Sequence, residues 1–478
     1  MTKRGYQLQK LWVEVRQEEV EEKKYYPLMV YQRKAKVLEF IGKWNEAEAI
    51  YRSNLEWAHK AGDEPSVAES GIHLGNVCRL KGIYAEALAL FEDALQLYTN
   101  LNGLKGISNA LGNIGVVYWS QGNYPKAIEC YQRQLNIAEE LGDKVGIIRS
   151  AVNMGIICQE QAEYEKAIEY YHKSLGINTE LGDKYPISLI EGNLGNVYLS
   201  QGNYSKAMEC YQRKLKIAEE LGDKQSISYA IGSIGLVYDG QGDYPKAIEC
   251  YQRNLKISEE LGDKRSAGIA LGNIGKSYYQ QGNYPKAMEY YQKKLAISEE
   301  LADKGSICIA LGRIGDVLKN LGEYLKAEEY YDRAISIGRE LELKSFLCEY
   351  LRDKADLCFI SAQKTQHKKQ ETETLEEAKR LNDEALRIAN QIKHQPIVFE
   401  CRLLSAKIAA LKEKADAIEQ LKLLLKETTE DSQIASLHYE LFRLTNEQEH
   451  RTKTLELYQK LYEKTPNIEY KERTEELK

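Results

Sequence analysis

A segment of thirteen residues returns along this chain at a spacing of 40 residues. Gln121–Arg133 reads QGNYPKAIECYQR, and copies of differing strength begin at Lys81, Gln161, Gln201, Gln241 and Gln281. A fixed period of this length is the signature of a protein built from stacked repeats, which grows along one axis instead of around a single core. The period therefore constrains the architecture more strongly than any local motif.

Alignment of the chain by this period places one kind of residue in each of several columns. One column is always alanine: Ala47, Ala87, Ala127, Ala167, Ala207, Ala247, Ala287 and Ala327. Four residues later comes an aromatic residue (Tyr51, Phe91, Tyr131 and their equivalents), and four after that a leucine or isoleucine. Spacings of four keep side chains on one helical face, and alanine lets a neighbouring helix approach closely. Each repeat is therefore predicted to contain a helix that buries an alanine–aromatic–leucine stripe.

The segment before each of these helices also has a helical pattern. In Ala110–Gln121 the apolar residues recur at helical spacing, and Gly115 leaves room for close helix packing. Gly122 falls in the predicted turn to the next helix. Gly142 is predicted to end that helix in a left-handed conformation, and Asp143 to cap the helix that follows. Each repeat is thus expected to be helix–turn–helix.

The residues Leu194-Gly195-x-x-Tyr198…Ala207-x-x-x-Tyr211 resemble the signature of the tetratricopeptide repeat. The repeats here are longer than the usual length of about 34 residues, and they lack the leading tryptophan. These long repeats are similar to those of the Pins/LGN spindle-orientation adaptors, of kinesin light chains and of bacterial repeat regulators. The resemblance implies an all-α, right-handed superhelical solenoid of about eleven helix–turn–helix repeats.

The resemblance also implies a division of the chain. Residues 27–344 are predicted to form eight regular repeats, and residues 1–26 a capping helix before them. Residues 345–466 fit three divergent repeats, with a polar insertion at 365–373 that is expected to lengthen the connection inside the ninth repeat. Residues 467–478 are predicted to form a charged helical tail.

Composition and motifs argue against several classes of function. The net charge of −6 gives no basic footprint for nucleic acid, and no run of apolar residues is long enough to span a membrane. No P-loop, H-E-x-x-H or G-x-S-x-G motif occurs, and the seven histidines are scattered without metal-ligand spacing. We therefore expect neither an enzyme nor a cofactor or metal. Nine cysteines without a C-x-x-C pair indicate reduced thiols in a cytoplasm, and the near-identical middle repeats favour a bacterial source.

The resemblance implies that the first helix of each repeat lines a concave groove that binds peptides. One column on these helices reads His73, Asn113, Asn153, Asn193, Ser233, Asn273 and Arg313, and the column three residues later reads Asn76, Val116, Ile156, Asn196, Leu236, Lys276 and Asp316. An asparagine amide carries both a donor and an acceptor, so a ladder of asparagines can hold a peptide backbone. Alternatively, the asparagines bond between neighbouring helices and stabilise the superhelix.

Other side chains near the ladder are candidates for contacts with a partner. Trp119 and Tyr279 are predicted apolar anchors. Acidic partner groups are expected at Arg149, Arg313, Lys276 and Lys319, and basic groups at Glu160, Asp239 and Asp316. A column of glycines (Gly112, Gly192, Gly232, Gly272 and Gly312) indicates either that adjacent first helices pack very closely or that the groove floor is kept bare for a ligand.

These observations favour a non-enzymatic adaptor that binds a peptide or helical segment of another protein. The alternative is a regulatory or sensory subunit that controls a protease, kinase or cyclase carried on another chain or in a missing domain. A regulator resembling the Rap proteins would need an N-terminal helical bundle, which about 26 residues are not expected to supply. Reading of RNA is disfavoured by the acidic balance and the repeat length.

Overall fold

The computed structural model describes residues 26–365 and 367–478, with side chains described from residue 31 onward. The predicted capping helix at residues 1–26 therefore lies almost wholly outside the described residues. In this part of the chain all regular structure is α-helical. In chain order the helices are α1 (Tyr26–Phe40), α2 (Trp44–Ala61), α3 (Glu64–Leu80), α4 (Tyr84–Asn100), α5 (Leu104–Ser120), α6 (Tyr124–Glu140), α7 (Lys144–Glu160), α8 (Tyr164–Leu181), α9 (Lys184–Ser200), α10 (Tyr204–Leu221), α11 (Lys224–Gly240), α12 (Tyr244–Glu260), α13 (Lys264–Gln280), α14 (Tyr284–Glu300), α15 (Lys304–Asn320), α16 (Tyr324–Glu340), α17 (Lys344–Lys364), α18 (Lys368–Gln391), α19 (Gln395–Ala410), α20 (Lys414–Glu427), α21 (Asp431–Thr445), α22 (Gln448–Lys464) and α23 (Ile468–Leu477).

The odd-numbered helices from α1 to α21 are the first helices of eleven repeats, and the even-numbered helices are the second helices. The chain divides between Gln201 and Gly202 into two compact units. The N-terminal unit ends with α9, and the C-terminal unit contains α10 to α23. In the N-terminal unit α3, α5, α7 and α9 contact one another in succession, and α15, α17, α19 and α21 do so in the C-terminal unit. Successive first helices are thus close enough to touch, which places them on the inner side of the bend of these repeats.

Local capping determines where the helices begin. Asn123 accepts a hydrogen bond from the backbone N–H of Lys126 at the start of α6 (3.4 Å). Asp263 caps α13 in the same way and also accepts from the hydroxyl of Ser266 (2.7 Å). Gly142 adopts the predicted left-handed conformation. The predicted cap at Asp143 is wrong, because its side chain makes no such bond. Residue 146 is glycine, whereas the capping residues Asp63, Asp223, Asp263 and Asp303 each have a serine three residues later whose hydroxyl donates to the carboxylate.

The core follows the alanine and aromatic columns. All eight alanines are fully buried, and so are the aromatic residues four positions later. The third member of the predicted stripe is fully buried only at Leu135 and at its equivalent Ile335, and in the other repeats the leucine is half-buried, as at Leu55 and Leu95, which pack against the core. The positions seven and eleven after the alanine are usually buried instead, as Gln134 and Ala138 show. At 3.6 residues per turn these two positions lie within about 20° of the alanine, whereas the leucine is rotated by about 80°.

In six of the described repeats a glycine on the first helix faces the aromatic ring of the second helix, and in the first repeat the buried Ala35 holds the equivalent position. A Cβ atom placed on Gly155 would lie only 2.6 Å from Cε1 of Tyr171. The same fit, at 2.6–2.7 Å, occurs at Gly75, Gly115, Gly235, Gly275 and Gly315. A Cβ atom at these six positions would overlap the ring at the present helix separation, so glycine is needed for these six helix pairs to pack as they do.

The polar insertion at 365–373 does not form a long loop. Residues 368–373 belong to α18, which has 24 residues, and α17 has 21 residues where most first helices have 17. The expectation of a longer connection was therefore wrong, since the added residues mainly extend helices. Lysine, glutamine and glutamate are good helix formers, and the segment contains neither glycine nor proline.

The C-terminal unit closes on itself at α23. The amide of Asn467 donates a hydrogen bond to Oε1 of Gln280 (2.8 Å), across 187 residues of sequence. Ile468 lies against Gly282, where a Cβ atom would be 2.8 Å from its Cγ1, and Pro466 lies in the same way against Gly242. The start of α23 therefore packs on the turns that follow α11 and α13.

Three further observations concern the chemistry of the chain. All nine cysteines are free thiols, and eight of them are buried. Within the described residues, no group of three or more His, Cys, Asp or Glu side chains is arranged to hold a metal ion. No helix in the described ranges is both long and apolar enough to cross a lipid bilayer.

The glycine–aromatic fit predicts opposite effects for two substitutions in the N-terminal unit. Gly155→Ala should lower the free energy of unfolding by about 1–3 kcal/mol, because the added methyl group overlaps the Tyr171 ring. Gly176→Ala, in α8 with open space around it, should raise that free energy by about 0.5–1 kcal/mol. Urea unfolding measures both, and a change of the same sign in the two variants would contradict the packing argument.

The closure of the C-terminal unit predicts a local effect of Ile468→Asp. A carboxylate against Gly282 should detach the start of α23 and speed amide hydrogen exchange of residues 281–283 by about tenfold, since roughly 1.4 kcal/mol of local stability is lost. Mass spectrometry of exchange in peptides would measure this. The equivalent turn at residues 161–163 serves as the control, and an unchanged rate at 281–283 would contradict the closure.

Candidate binding face on the first helices

We define the inner face as the side chains that each first helix turns away from its second helix. In α7 these are Arg149, Asn153 and Ile156, at spacings of four and three residues that share one side of a helix. Arg149 is exposed, and the other two are half-buried. The same three positions recur in the other first helices, so the inner face is a set of three columns.

The asparagines in two columns of the N-terminal unit are accessible. Asn76, Asn113, Asn153 and Asn193 are half-buried, and Asn196 is exposed. The amide of Asn113 donates to the backbone oxygen of Asn109 one turn earlier in α5 (3.0 Å). In the part of the chain that the structure describes, the side chains of Asn76, Asn153 and Asn193 have no hydrogen-bond partner. Bonding between neighbouring first helices, the alternative role for the ladder, is thus not observed for these three.

Two other predicted positions of this unit are engaged with neighbours. The indole N–H of the exposed Trp119 donates to Oε2 of Glu160 (2.8 Å), which joins α5 to α7. The His73 ring stacks on Tyr51 with centroids 5.3 Å apart, and its Nε2 lies 3.6 Å from Glu69. Glu160 is therefore occupied by Trp119.

In the C-terminal unit the predicted charges pair with one another. Asn273 is half-buried and has no side-chain hydrogen bond within the described residues. Lys276, although exposed, is bound to the buried carboxylate of Asp239 (2.9 Å), which also accepts from the Ser277 hydroxyl (2.8 Å). Lys319 likewise binds Asp356 (3.2 Å). These ion pairs neutralise the charges within the face, and the expectation that the same charges receive partner groups stays a prediction.

Arg313 and Asp316 form the centre of this charged cluster. Nη1 of Arg313 is 3.1 Å from Asp316 and 3.1 Å from Glu349 on the next first helix. The hydroxyl of Tyr331 donates to the other oxygen of Asp316 (2.9 Å). Burial and the neighbouring Asp353 raise the pKa of Asp316, while Arg313 opposes that rise. Arg313 is thus held in place by two carboxylates.

The contacts between adjacent first helices follow a rule that the sequence contains. Lys276 and Asp239 are 37 residues apart, and so are Lys319 and Asp356. Trp119 and Glu160 are 41 apart, as are Asn320 and Tyr279, whose hydroxyl accepts from the asparagine amide (2.8 Å). Side chains on adjacent first helices therefore meet when they are 37 or 41 residues apart, which is one repeat of 40 residues minus three or plus one. A search of the sequence at these separations would have found the pairs.

The inner-face column to which Arg149 belongs carries apolar residues in other repeats, and the sequence analysis did not single these out. In the C-terminal unit, Tyr229 is 47% exposed, Ile269 is 56% exposed and Leu236, in another inner-face column, is 38% exposed. Tyr229 and Ile269 occupy the column four residues before Ser233 and Asn273, and Leu189 holds it in the N-terminal unit. The signal was present, since an apolar residue on the face opposite the buried stripe is unexpected for a solvated helix.

The second glycine column makes room for side chains of the second helices. A Cβ atom on Gly232 would lie 3.3 Å from the amide of Asn254, and one on Gly272 would lie 3.0 Å from Cδ of Lys294. Gly112 faces Gln134 in the same way, whereas Gly312 faces the next first helix, at Tyr350. Neither earlier explanation of the column holds for most repeats, because the close neighbour is the second helix of the same repeat.

Comparison with known proteins agrees with this architecture. The tetratricopeptide repeat matches residues 27–100, 106–180, 146–220, 186–253 and 227–300, and a second pattern of the same description matches 309–339. Among curated protein sequences, none is significantly similar to this chain.

Several solved structures share the fold. Aspartyl phosphate phosphatase F from Bacillus subtilis is 16% identical, with a TM-score of 0.50 over 74% of this chain and 93% of that protein. The quorum sensor NprR from B. thuringiensis is 16% identical, with a TM-score of 0.50 over 73% of this chain and 98% of that protein. A signal transduction ATPase (STAND) protein with a tetratricopeptide repeat sensor, from Pyrococcus horikoshii, is 19% identical, with a TM-score of 0.49 over 73% of this chain. The match spans about half of that protein, 52% of its length.

The family patterns cover more than half of the 478 residues, and the helix pairs, the buried alanine column and the glycine–aromatic fit repeat in the same register. The chain belongs to the tetratricopeptide repeat family.

Proposed function

We propose that this chain is a non-catalytic scaffold or adaptor that binds a peptide or helical segment of a partner protein on its inner face. Membership of the tetratricopeptide repeat family supports a protein-interaction or regulatory role. The observation that carries the finer proposal is the set of half-buried amides at Asn153, Asn193 and Asn273, which have no hydrogen-bond partner within the described residues.

Half-buried amides without partners favour binding of a backbone. Each amide offers a donor and an acceptor, and a peptide group presents the complementary pair. Leaving a desolvated amide unpaired costs free energy, whereas pairing it contributes about 0.5–1.5 kcal/mol per bond. Because the asparagines recur at one position of a rigid helix pair, they are already in place before a ligand arrives, which reduces the entropy cost of binding.

The apolar residues and the internal ion pairs indicate the chemistry of the partner. Tyr229, Leu236 and Ile269 expose apolar surface close in sequence to Asn273, and such residues serve as anchors in protein interfaces. The charges of Lys276 and Arg313 are already paired within the face. We therefore propose that the C-terminal unit binds an amphipathic segment through apolar side chains and backbone groups, with few long-range charge contacts.

The alternative, a regulatory subunit that controls a catalytic partner, is favoured by the closure at α23. Asn467 and Ile468 hold the C-terminal unit closed at the turns beside Gln280 and Gly282. A ligand that fits the inner face better when α23 is detached would shift the unit towards the open state, and binding would then be transmitted to whatever contacts α23.

Replacement of the asparagine ladder tests the proposed function. In one variant Asn113, Asn153, Asn193 and Asn273 all become alanine, and the control variant carries Gln132→Ala, Gln212→Ala, Gln252→Ala and Gln292→Ala. The control removes the same number of amides from exposed positions on second helices. Partners captured from the native host are identified by mass spectrometry, and the affinity of purified partner is then measured by calorimetry.

The ladder variant should bind the partner at least about tenfold more weakly, since each lost hydrogen bond contributes about 1 kcal/mol. The glutamine control should bind like the wild type, and circular dichroism should show that both variants remain helical. Equal affinity of the two variants would contradict binding on the inner face. A captured partner that is an enzyme with activity altered by the chain would favour the regulatory alternative.

A further inference from the structure

A pocket with a volume of about 330 Å³ lies in the N-terminal unit between α2, α3 and α4. Leu55, Val67 and Leu97 give the pocket apolar walls, and Gly71 of α3 also lines it. The exposed side chains of His59 and Asp93 add polar groups to the lining. Pockets of roughly 300–1,000 Å³ with apolar walls and a few polar groups are typical binding sites for small organic molecules.

The glycine in this pocket is not required by the packing of the helices. Gly71 is the only glycine in its column of the eight regular repeats. Four other repeats have a buried leucine or isoleucine there: Leu111, Ile231, Leu271 and Leu311. A Cβ atom on Gly71 would lie 3.5 Å from the backbone oxygen of Leu90, which is an ordinary contact, whereas one on Gly75 would overlap the Phe91 ring. Because glycine also lowers the stability of a helix relative to alanine, its effect at residue 71 is to omit a side chain that other repeats bury.

Asp93 reverses the charge that its column carries in later repeats. From the third to the eighth repeat this position is basic: Arg133, Lys173, Arg213, Arg253, Lys293 and Arg333. Nζ of Lys173 lies 2.6 Å from Glu139 on the preceding second helix. Arg253 lies 3.9 Å from Glu219 in the same arrangement. In these two repeats an ion pair therefore bridges adjacent second helices.

The second repeat lacks this bridge. His59 occupies the position of Glu139 and Glu219, 34 residues before its counterpart Asp93. Within residues 31–365 and 367–478, neither His59 nor Asp93 has a hydrogen bond or an ion pair through its side chain. Among the residues that line the pocket, Asp93 carries the one formal charge at neutral pH. The pocket therefore combines an apolar space beside Gly71 with a carboxylate that has no partner in the described residues.

We propose that this pocket binds a small organic cation that carries one apolar group, either a branched alkyl chain or an aromatic ring. The apolar group occupies the space beside Gly71, where other repeats bury a side chain, and the cationic group pairs with Asp93. Apolar contact contributes most of the affinity, because an exposed ion pair contributes little. None of the lining residues belongs to the inner face, so the site goes beyond the proposed function and does not rest on it.

The test follows methyl groups of the full-length protein by ¹³C NMR. Leu55 lines the pocket, and its equivalent Leu175 in the fourth repeat does not. The two signals are assigned from the variants Leu55→Ile and Leu175→Ile. Three probes of similar shape are titrated at low ionic strength, where ion pairs are least screened: phenethylamine, which is a cation, phenethyl alcohol, which is neutral, and hydrocinnamate, which is an anion.

Three variants separate the parts of the proposal. Gly71→Leu gives the second repeat the residue of the third repeat, so it should fold and fill the pocket. His59→Glu combined with Asp93→Arg rebuilds the pair that Glu219 and Arg253 form in another repeat. As a control, Glu92→Gln removes an exposed carboxylate that does not line the pocket. Urea unfolding checks that all three variants remain folded.

We expect phenethylamine to shift the Leu55 signal to saturation and to leave the Leu175 signal unchanged. Its affinity should be about threefold higher than that of phenethyl alcohol and about tenfold higher than that of hydrocinnamate, as the small energy of an exposed ion pair allows. Gly71→Leu should abolish the saturable shift, the double variant should remove the preference for the amine, and Glu92→Gln should bind like the wild type.

Several outcomes would overturn the site. These are shifts that do not saturate, equal shifts at Leu55 and Leu175, and binding that persists in Gly71→Leu. An amine that binds no more tightly than hydrocinnamate, or a preference for the amine that persists in the double variant, would overturn the assignment of a cationic ligand. Since no partner protein is used, these results are independent of the fate of the asparagine ladder.

Discussion

The contact between a glycine on the first helix and an aromatic ring on the second helix determines how six of the regular repeats pack. At Gly155 and Tyr171, as at the other copies, the ring occupies the volume that a Cβ atom would need. The fully buried alanine one turn before the ring lets the two helices approach each other closely. The distance between the helices is then determined by the glycine, the alanine and the aromatic ring. Because these repeats share the same fit, they stack in one register, and first helices come close enough to touch in both compact units.

Fixed packing on one side of the first helix leaves the other side free to vary. In the N-terminal unit that side carries asparagines, whereas in the C-terminal unit it carries Asn273, exposed apolar residues and a cluster of paired charges. The charges around Arg313 and Asp316 are held by contacts within and between adjacent repeats, so they link neighbouring first helices as well as contributing to the surface of the inner face.

Much of the fold follows from periodicity, because periodicity reports packing that is repeated. The alanine, aromatic and glycine columns predicted the helix pairs, and the turn at Gly142 was also predicted. Features that occur once could not be read in this way. The closure joins Asn467 to Gln280, which are 187 residues apart in the sequence, and no local sequence pattern predicts this contact. The side-chain pairs separated by 37 and 41 residues are intermediate between periodic columns and contacts that occur once. Their residues are visible in the sequence, but the structure was needed to show that these two separations bring side chains together.

The central claim, that the inner face is where a partner binds, is tested most directly by hydroxyl-radical footprinting of the full chain with and without a captured partner. Tyr229 and Ile269 are exposed on the inner face, while Leu325, which is 81% exposed, lies at the start of the second helix α16. The account predicts that the partner lowers the oxidation rates of Tyr229 and Ile269 several-fold and leaves that of Leu325 unchanged. Protection of Leu325 with unchanged rates at Tyr229 and Ile269 would place the partner on the second helices and contradict the account.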